Sequence, residues 1–419
     1  MASGLYNFLI AIYGLLIRVV SLFNAKAKLF ISGRKGTFEV LKGCFETNER
    51  PVAWFHVASL GEFEQAKPVI EAFREGYPDH FIYITFFSPS GYEQKKNYEG
   101  ADLITYLPLD RPANAHKFME VVQPAIVVFV KYEFWYNYLN ETQKLKVPIY
   151  SISALFTPNH IFFKAHGGLH RQMLGFFAHI FVQNEPSKIL LEGINIGHVS
   201  ISGDTRFDRV VDTLKNPEKY PLIEAFKGSA ELMIIGSSWP IDMELLYAIV
   251  NENRGDLKFV IAPHEVNEAS VSRLEQGLSC TSVRITDCTV EQAIEADVLI
   301  INTIGMLSNI YQYGHFAYIG GAFGDGLHNI LEAVIFGLPV IFGNRGLEKF
   351  PESLELAEAG GAFPIDNAKE MTEIFNQLYA DKDFRANASE ACKAYIEANT
   401  GATKHIMNYW KANYAGKGH

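Results

Sequence analysis

Short apolar runs alternate with longer amphipathic stretches from Val52 to about Ser202, and the alternation restarts at Leu232. Runs this short, rich in aromatic and β-branched residues, read as buried strands. The first half offers Val52–Val57, Phe81–Phe86, Leu103–Tyr106, Ile126–Val130, Ile149–Ser153 and Ile180–Val182, with helical spacing over Ala113–Val122 and Phe134–Gln143. The second half offers Leu232–Ile235, Phe259–Ala262, Val298–Ile301, Ala317–Ile319 and Val340–Phe342. Helical patterns there run through Met243–Val250, Asn329–Phe336 and several segments after Ala368. Strand–helix alternation implies parallel sheets covered on both faces. A polar stretch with Asn216, Pro217 and Pro221 separates the halves. The expected fold is α/β: two doubly wound, Rossmann-like domains facing a cleft, over residues 37–210 and 211–419, with the boundary near 205–222. The last ~50 residues read as helical; they are grouped in sequence with the second domain and could pack back across the first.

The N-terminal pattern differs. Residues 5–23 are mostly apolar, but the run free of strongly polar residues is only Phe8 to Ile17. Spanning a bilayer takes ~20 predominantly apolar residues. On a helix, Asn7, Ala11, Gly14, Arg18 and Ser21 share one face. Residues 1–36 are therefore expected to form a membrane-anchoring segment with a helix lying in the interface, and Lys26, Lys28, Arg34 and Lys35 on anionic headgroups. The competing readings are an amphipathic helix docked on the protein's own body and a helix that spans the membrane. A signal peptide would want its charge before the apolar run; here the charge follows.

Composition narrows the class. The 419 residues are 48% hydrophobic and 20% charged, which suits a globular chain of two or more domains. A net charge of −10 argues against nucleic acid as a partner. Cys44, Cys280, Cys288 and Cys392 have neither zinc nor disulfide-framework spacing and fit a reducing compartment. No His/carboxylate cluster with metal-ligand spacing stands out, so neither metal nor cofactor is expected.

Two stretches carry chemistry. After the strand Val52–Val57, Ser59, Leu60 and Gly61 break the run and Glu62 opens a helix. That places a carboxylate at the carboxyl end of a strand, where open α/β sheets bind ligands. Ser59-x-x-Glu62 is equally the spacing of a capping box. The second stretch, Gly320-Gly321-Ala322-Phe323-Gly324-Asp325-Gly326-Leu327-His328-Asn329-Ile330-Leu331-Glu332, follows the strand ending at Ile319. Its glycines permit close backbone approach, and a helix starting near His328 would aim N–H groups at a phosphate. His328, Asn329 and Glu332 would stand at neighbouring helical positions, with Glu332 able to accept both hydroxyls of a ribose. Gly236-Ser237-Ser238 follows the first strand of the second domain and either donates N–H groups to phosphate or caps a helix. Arg206, in Gly203-Asp204-Thr205-Arg206-Phe207-Asp208, either reaches an anionic ligand or is a surface residue. Neither half carries G-x-G-x-x-G after its first strand, which disfavours a dinucleotide oxidoreductase.

In order along the chain, these motifs resemble the transferases of 3-deoxy-D-manno-octulosonic acid (Kdo), the enzymes that join Kdo to the lipid A precursor in lipopolysaccharide biosynthesis. The likeness covers essentially the whole chain. It includes the basic N-terminus, Ala58-Ser59-Leu60-Gly61-Glu62, Glu133-Phe134-Trp135, and Ser202 to Asp208. It continues through Gly236-Ser237, Ala262-Pro263-His264, the glycine-rich segment to Glu332, Gly337-Leu338-Pro339-Val340, and Glu358 to Ala362. The resemblance implies a GT-B glycosyltransferase that is inverting and metal-independent, with CMP-Kdo as donor and a lipid A precursor as acceptor. It implies a place on the cytoplasmic face of the inner membrane. It makes Glu62 the catalytic base. It puts Gly236, Ser237, Pro263, His264, Gly305, Met306, His328, Asn329 and Glu332 on CMP, and Ser59, Gly61, Glu133 and Arg206 on the acceptor side. The chain departs from the family pattern at Lys131, where many members have an acid. It lacks the arginine of Pro-Arg-His at Pro263-His264-Glu265. It carries Asn302-Thr303-Ile304-Gly305-Met306-Leu307 where an aspartate and a glutamate are usual. The alternatives are a membrane-associated GT-B enzyme using a UDP-sugar and a membrane-anchored binding protein with a decayed site.

Overall fold

The computed structural model describes residues 2–131, 133–215, 217–252, 255–324 and 326–414. Asn216 of the boundary stretch and Asp325 of the glycine-rich loop lie outside the described residues. The chain divides into two compact units, residues 1–209 with 400–419, and residues 210–399. Among the described residues each unit is built on one parallel seven-stranded sheet.

The first sheet contains β1 (Val52–Val57), β2 (Phe81–Phe86), β3 (Leu103–Tyr106), β4 (Pro124–Val130), β5 (Ile149–Ala154), β6 (His179–Val182) and β7 (Val199–Ile201), in the order β3-β2-β1-β4-β5-β6-β7. Every residue of β1 is buried, as the unbroken apolar run requires of a strand covered on both faces. Alternate side chains go to opposite sides: Trp54 packs with Phe118, Phe129 and Tyr138, while Phe55 packs against Phe73. The second sheet contains β8 (Glu231–Ser238), β9 (Leu257–Pro263), β10 (Ser282–Arg284), β11 (Val298–Ile300), β12 (Phe316–Ile319), β13 (Val340–Gly343) and β14 (Ala362–Ile365), in the order β10-β11-β9-β8-β12-β13-β14. The short strands β7, β10 and β14 escaped the sequence reading. At three or four residues each, they give no hydrophobic period to detect.

The terminal helix Ala402–Asn413, grouped in sequence with the second domain, packs back into the first unit, the arrangement its sequence left open. Trp410 is fully buried there, its ring 5.6 Å from Phe73 and 5.5 Å from Tyr150. Burial of a side chain this large stabilises by roughly 1.5–3 kcal/mol, enough to hold a helix in place.

Three helices precede β1: α1 (Ala2–Val20), α2 (Ala25–Ser32) and α3 (Thr37–Phe45). Helix α1 is long and apolar enough to cross a membrane. Its polar face turns toward the first unit. Asn7 accepts from Asn137 Nδ2 at 2.9 Å, Tyr6 donates to Asp110 at 2.6 Å, and Gly14 is buried against Leu109 and Arg111. Its apolar face, with Leu5, Phe8, Leu9, Leu15, Leu16 and Val19, is exposed. The helix thus docks on its own protein and still presents an apolar surface outward. Arg34 does not fit its expected place among headgroups. Its guanidinium donates to the carbonyls of Leu107, Phe30 and Phe87 at 2.8, 2.9 and 2.7 Å and lies over the Phe30 ring. Burial pushes its pKa down to about 10.

Candidate functional site

In the first sheet β1 lies between β2 and β4, so the strand order reverses there and the following loops diverge. Open α/β sheets hold ligands at the carboxyl ends beside such a point. The loop after β1 leads through Ser59 into helix α4 (Leu60–Gly76), whose first turn carries Gly61 and Glu62. Ser59 is the N-cap by position, but its hydroxyl makes no bond to the helix backbone and donates instead to the Glu62 carboxylate. The capping-box geometry is therefore not formed. Gly61 is exposed, and a side chain added there would meet only Ser59 Oγ among the described residues, at 3.8 Å.

The loop after β4 brings Glu133 to the same region. Lys131 takes a left-handed conformation (φ 57°), which costs about 1–2 kcal/mol for a residue with a side chain. Its carbonyl accepts from Ser151 Oγ at 2.7 Å and its N–H donates to Ile152, so the turn is held from both sides. Two residues on, Glu133 is largely buried. Its pKa is pushed up to about 7, first by burial and then by the charge of Glu62. Trp135 fixes the far end of this loop. Its Nε1 donates to His56 Nε2 at 3.0 Å and its ring stacks on Phe87 at 4.5 Å. Fully buried His56 is pushed down to about 3 by its burial, so it is neutral, and its Nδ1 lies 2.9 Å from Thr85 Oγ1. Thr85 also accepts from Trp54 Nε1 at 2.8 Å. Tyr6 of α1 lies within electrostatic reach of Glu133, which places the N-terminal helix beside this carboxylate pair.

Arg206 is not free to search for an anion. Its Nε and Nη2 each lie 2.8 Å from Asp204 Oδ2. Buried Asp204 also accepts from Gln65 Nε2 at 2.9 Å, one turn along α4 from Glu62. Burial alone would raise the Asp204 pKa, but Arg206 and these hydrogen bonds hold it below the ordinary value. Arg206 thereby braces α4.

The second sheet repeats the reversal, now between β8 and β12. Gly236 and Ser237 were expected just beyond a strand ending at Ile235. Instead β8 runs on to Ser238, with a pairing irregularity after Gly236 and Ser237 in the left-handed region (φ 52°). Trp239, not a serine, caps the helix Pro240–Asn251. Ser238 is buried and its hydroxyl has no partner among the described residues. With Trp239, Pro263 and His264 it lines a cavity of about 290 Å³.

Aspartate 242 clamps the two loops together. Its Oδ2 accepts from the N–H groups of Trp239 (2.9 Å) and Gly321 (3.0 Å), and its Oδ1 from Tyr318 OH (2.8 Å). A side chain on Gly320 would stand 2.3 Å from the Ser237 carbonyl, so glycine is required by close approach. His328 comes to this point from the glycine-rich loop. Its Nε2 accepts from Trp239 Nε1 at 3.2 Å, and its ring centroid lies 4.7 Å from that of His264, which stacks on Trp239 at 4.2 Å. Burial and the neighbouring His264 push His328 down to about 4, so it is neutral.

The expected helix at His328 is absent. The chain from Leu327 to Asn329 is irregular, and the helix is a single turn, Leu331–Val334, whose start offers no anion site. His328 and Glu332 therefore share no helical face. Asn329 still reaches Glu332, donating to it at 3.1 Å. Glu332 lies near the buried Tyr311, whose hydroxyl is packed against Gly236 and is raised by burial and by the charge of Glu332. Gly305 (φ 96°) is exposed in the loop after β11, and Met306 leads into Leu307, which packs near Gly236. Sequence reasoning missed Asp242, Trp239 and His56. An acid three residues after Trp239 was the available signal for the first; the other two show nothing until the strands are aligned.

Residues 33–209 match the family model described as 3-deoxy-D-manno-octulosonic-acid transferase (kdotransferase). The chain is 28% identical over 310 residues to a 3-deoxy-D-manno-octulosonic acid transferase of Chlamydophila psittaci, covering 70% of this chain and 69% of that one. It is 25% identical over 360 residues to the enzyme of the same name from Aquifex aeolicus, covering 82% and 92%. Among solved structures, UDP-GlcNAc 2-epimerase from Neisseria meningitidis matches in fold with a TM-score of 0.64 and 16% identity, over 87% of this chain and 100% of that one.

Proposed function

We propose that this chain, a GT-B glycosyltransferase that belongs with the Kdo transferases, moves Kdo from CMP-Kdo to a lipid A precursor with inversion. The observation that carries the reading is the carboxylate pair Glu62–Glu133 at the strand-order reversal of the first unit. An acceptor sugar hydroxyl attacks the anomeric carbon of Kdo as the bond from that carbon to the CMP phosphate oxygen breaks. Positive character develops on the sugar, and the electron pair leaves with CMP. Glu62 takes the hydroxyl proton. Glu133, carrying the raised pKa, holds a proton part of the time at neutral pH, so the pair need not bear two full charges. Ser59 orients Glu62.

The second unit binds CMP. The unpartnered Ser238 hydroxyl and the backbone at Ser237 meet the phosphate, Glu332 accepts ribose hydroxyls, and His328, His264 and Trp239 form the stacked wall beside them. The irregular Leu327–Asn329 segment replaces the helix start as the route by which His328 arrives. Pro263, Gly305 and Met306 remain on the donor side and Gly61 on the acceptor side of this proposal, with Arg206 acting through α4.

Helix α1 rests on the inner membrane at its cytoplasmic face. Its exposed apolar row enters the interface, assisted by Lys26, Lys28 and Lys35. Its nearness to Glu133 suits an acceptor that is itself a lipid. Isothermal calorimetry with CMP and UDP tests the donor assignment. Binding of CMP alone supports it, and binding of UDP alone would transfer the proposal to a UDP-sugar.

A further inference from the structure

A second cavity, of about 500 Å³, opens in the first unit beside α1. Its wall carries four cations, Arg18, Arg34, Lys35 and Arg111, with Asn114, and no carboxylate. Arg34 is committed to three carbonyls. The other three cations make no ion pair among the described residues. Arg111 is the telling one. Its guanidinium is pressed against Gly14 of α1, and its Nε is buried without a hydrogen-bond partner among the described residues. A buried N–H without an acceptor is costly unless a ligand supplies one. Cations gathered in a concave wall without counter-charges raise the local concentration of anions. A guanidinium matches a phosphate with paired N–H groups.

Place narrows the ligand further. Arg18 lies on the polar face of α1, one turn from the exposed Leu15 of the apolar row. If that row enters a bilayer, as the function above has it, the cavity mouth lies at headgroup depth. We propose that this cavity binds a phosphate monoester carried by a membrane lipid. A monoester brings about −1.5 to −2 charges and free oxygens in several directions, which suits three unpaired cations better than a diester.

The test uses the full chain and neutral phosphatidylcholine vesicles doped either with phosphatidic acid or with oleate to equal surface potential. Wild type is expected to bind the phosphatidic acid vesicles several-fold more tightly. Arg111→Gln is expected to abolish that preference. So is the double variant Arg18→Gln/Lys35→Gln, whose exposed positions cannot unfold the protein. Lys26→Gln/Lys28→Gln, outside the cavity, should weaken both bindings in proportion and keep the preference. Competition with inorganic phosphate separates the sources: displacement assigns recognition to the phosphate group alone, and its absence to a headgroup held in the bilayer. Equal binding of wild type to both vesicles, or a preference surviving both cavity variants, overturns the proposal. Transfer from CMP-Kdo to detergent-dispersed acceptor is measured on the same wild-type preparation. Lost headgroup preference with intact transfer refutes the cavity alone, and absent transfer refutes the function.

Discussion

Glu133 lies within electrostatic reach of Glu62, and its carboxyl titrates near 7 because it is buried and because Glu62 is charged. Two loops from strands 70 residues apart in sequence meet in this pair. Removing the Glu62 charge removes the second of the two causes. Glu62→Gln should therefore lower the Glu133 pKa toward its ordinary value, which carboxylate infrared titration reads. An unchanged Glu133 titration would mean that the two carboxyls are uncoupled.

Stability should follow pH with opposite signs at Glu133 and His56. The Glu133 pKa rises on folding from 4.5 to about 7. Its protonated form favours the fold, so that contribution is complete below about 4.5 and is lost as pH rises through 7. His56 falls on folding from 6.5 to about 3, so its contribution is present above 6.5 and is lost as pH falls toward 3. Glu133→Gln should gain in Tm relative to wild type between about pH 5 and about pH 8. A Tm difference constant across that range would contradict the burial of Glu133.

Asp242→Ala should leave two backbone N–H groups and the Tyr318 hydroxyl without their acceptor. Each such orphan costs roughly 1–3 kcal/mol. The variant should lose several kcal/mol in denaturant unfolding and should bind CMP poorly. Wild-type stability would remove Asp242 as the clamp between the β8 and β12 loops.

Glu332→Ala should weaken CMP binding without comparable loss of stability. A charged hydrogen bond to ribose is worth roughly 1.5–3 kcal/mol, about tenfold or more in affinity. Equal affinity in calorimetry would take Glu332 out of the donor site. Transfer should also persist in excess chelator, and inhibition reversed by a divalent ion would contradict the metal-free reaction.

Deleting residues 2–20 should release much of the protein from membrane vesicles. Asp110 keeps two backbone donors, Asn137 and Tyr138, after Tyr6 is lost, so the core should still fold. Full retention on vesicles would contradict the anchor.

The strands that build both reversals were legible because each is a continuous apolar run buried on both faces, β1 and β8 above all. Glu62 was legible because it follows such a run at once. The bond from Ser59 to Glu62 was not, since a capping box has the same spacing. His328 was found as a residue and misplaced as an element: its helical spacing was overridden by packing against Trp239 and His264. The polar face of α1 was read correctly, but its partner was the first unit, and Arg34 was drawn inward by three carbonyls that no sequence pattern announces.

The most direct measurement of the central claim is the product mass when the 419-residue chain is incubated with CMP-Kdo and a lipid A precursor, with wild type and Glu62→Gln side by side. Wild type should add Kdo to the acceptor, and Glu62→Gln should add none while still binding CMP. An unmodified acceptor with wild type, or undiminished transfer by Glu62→Gln, would contradict the account.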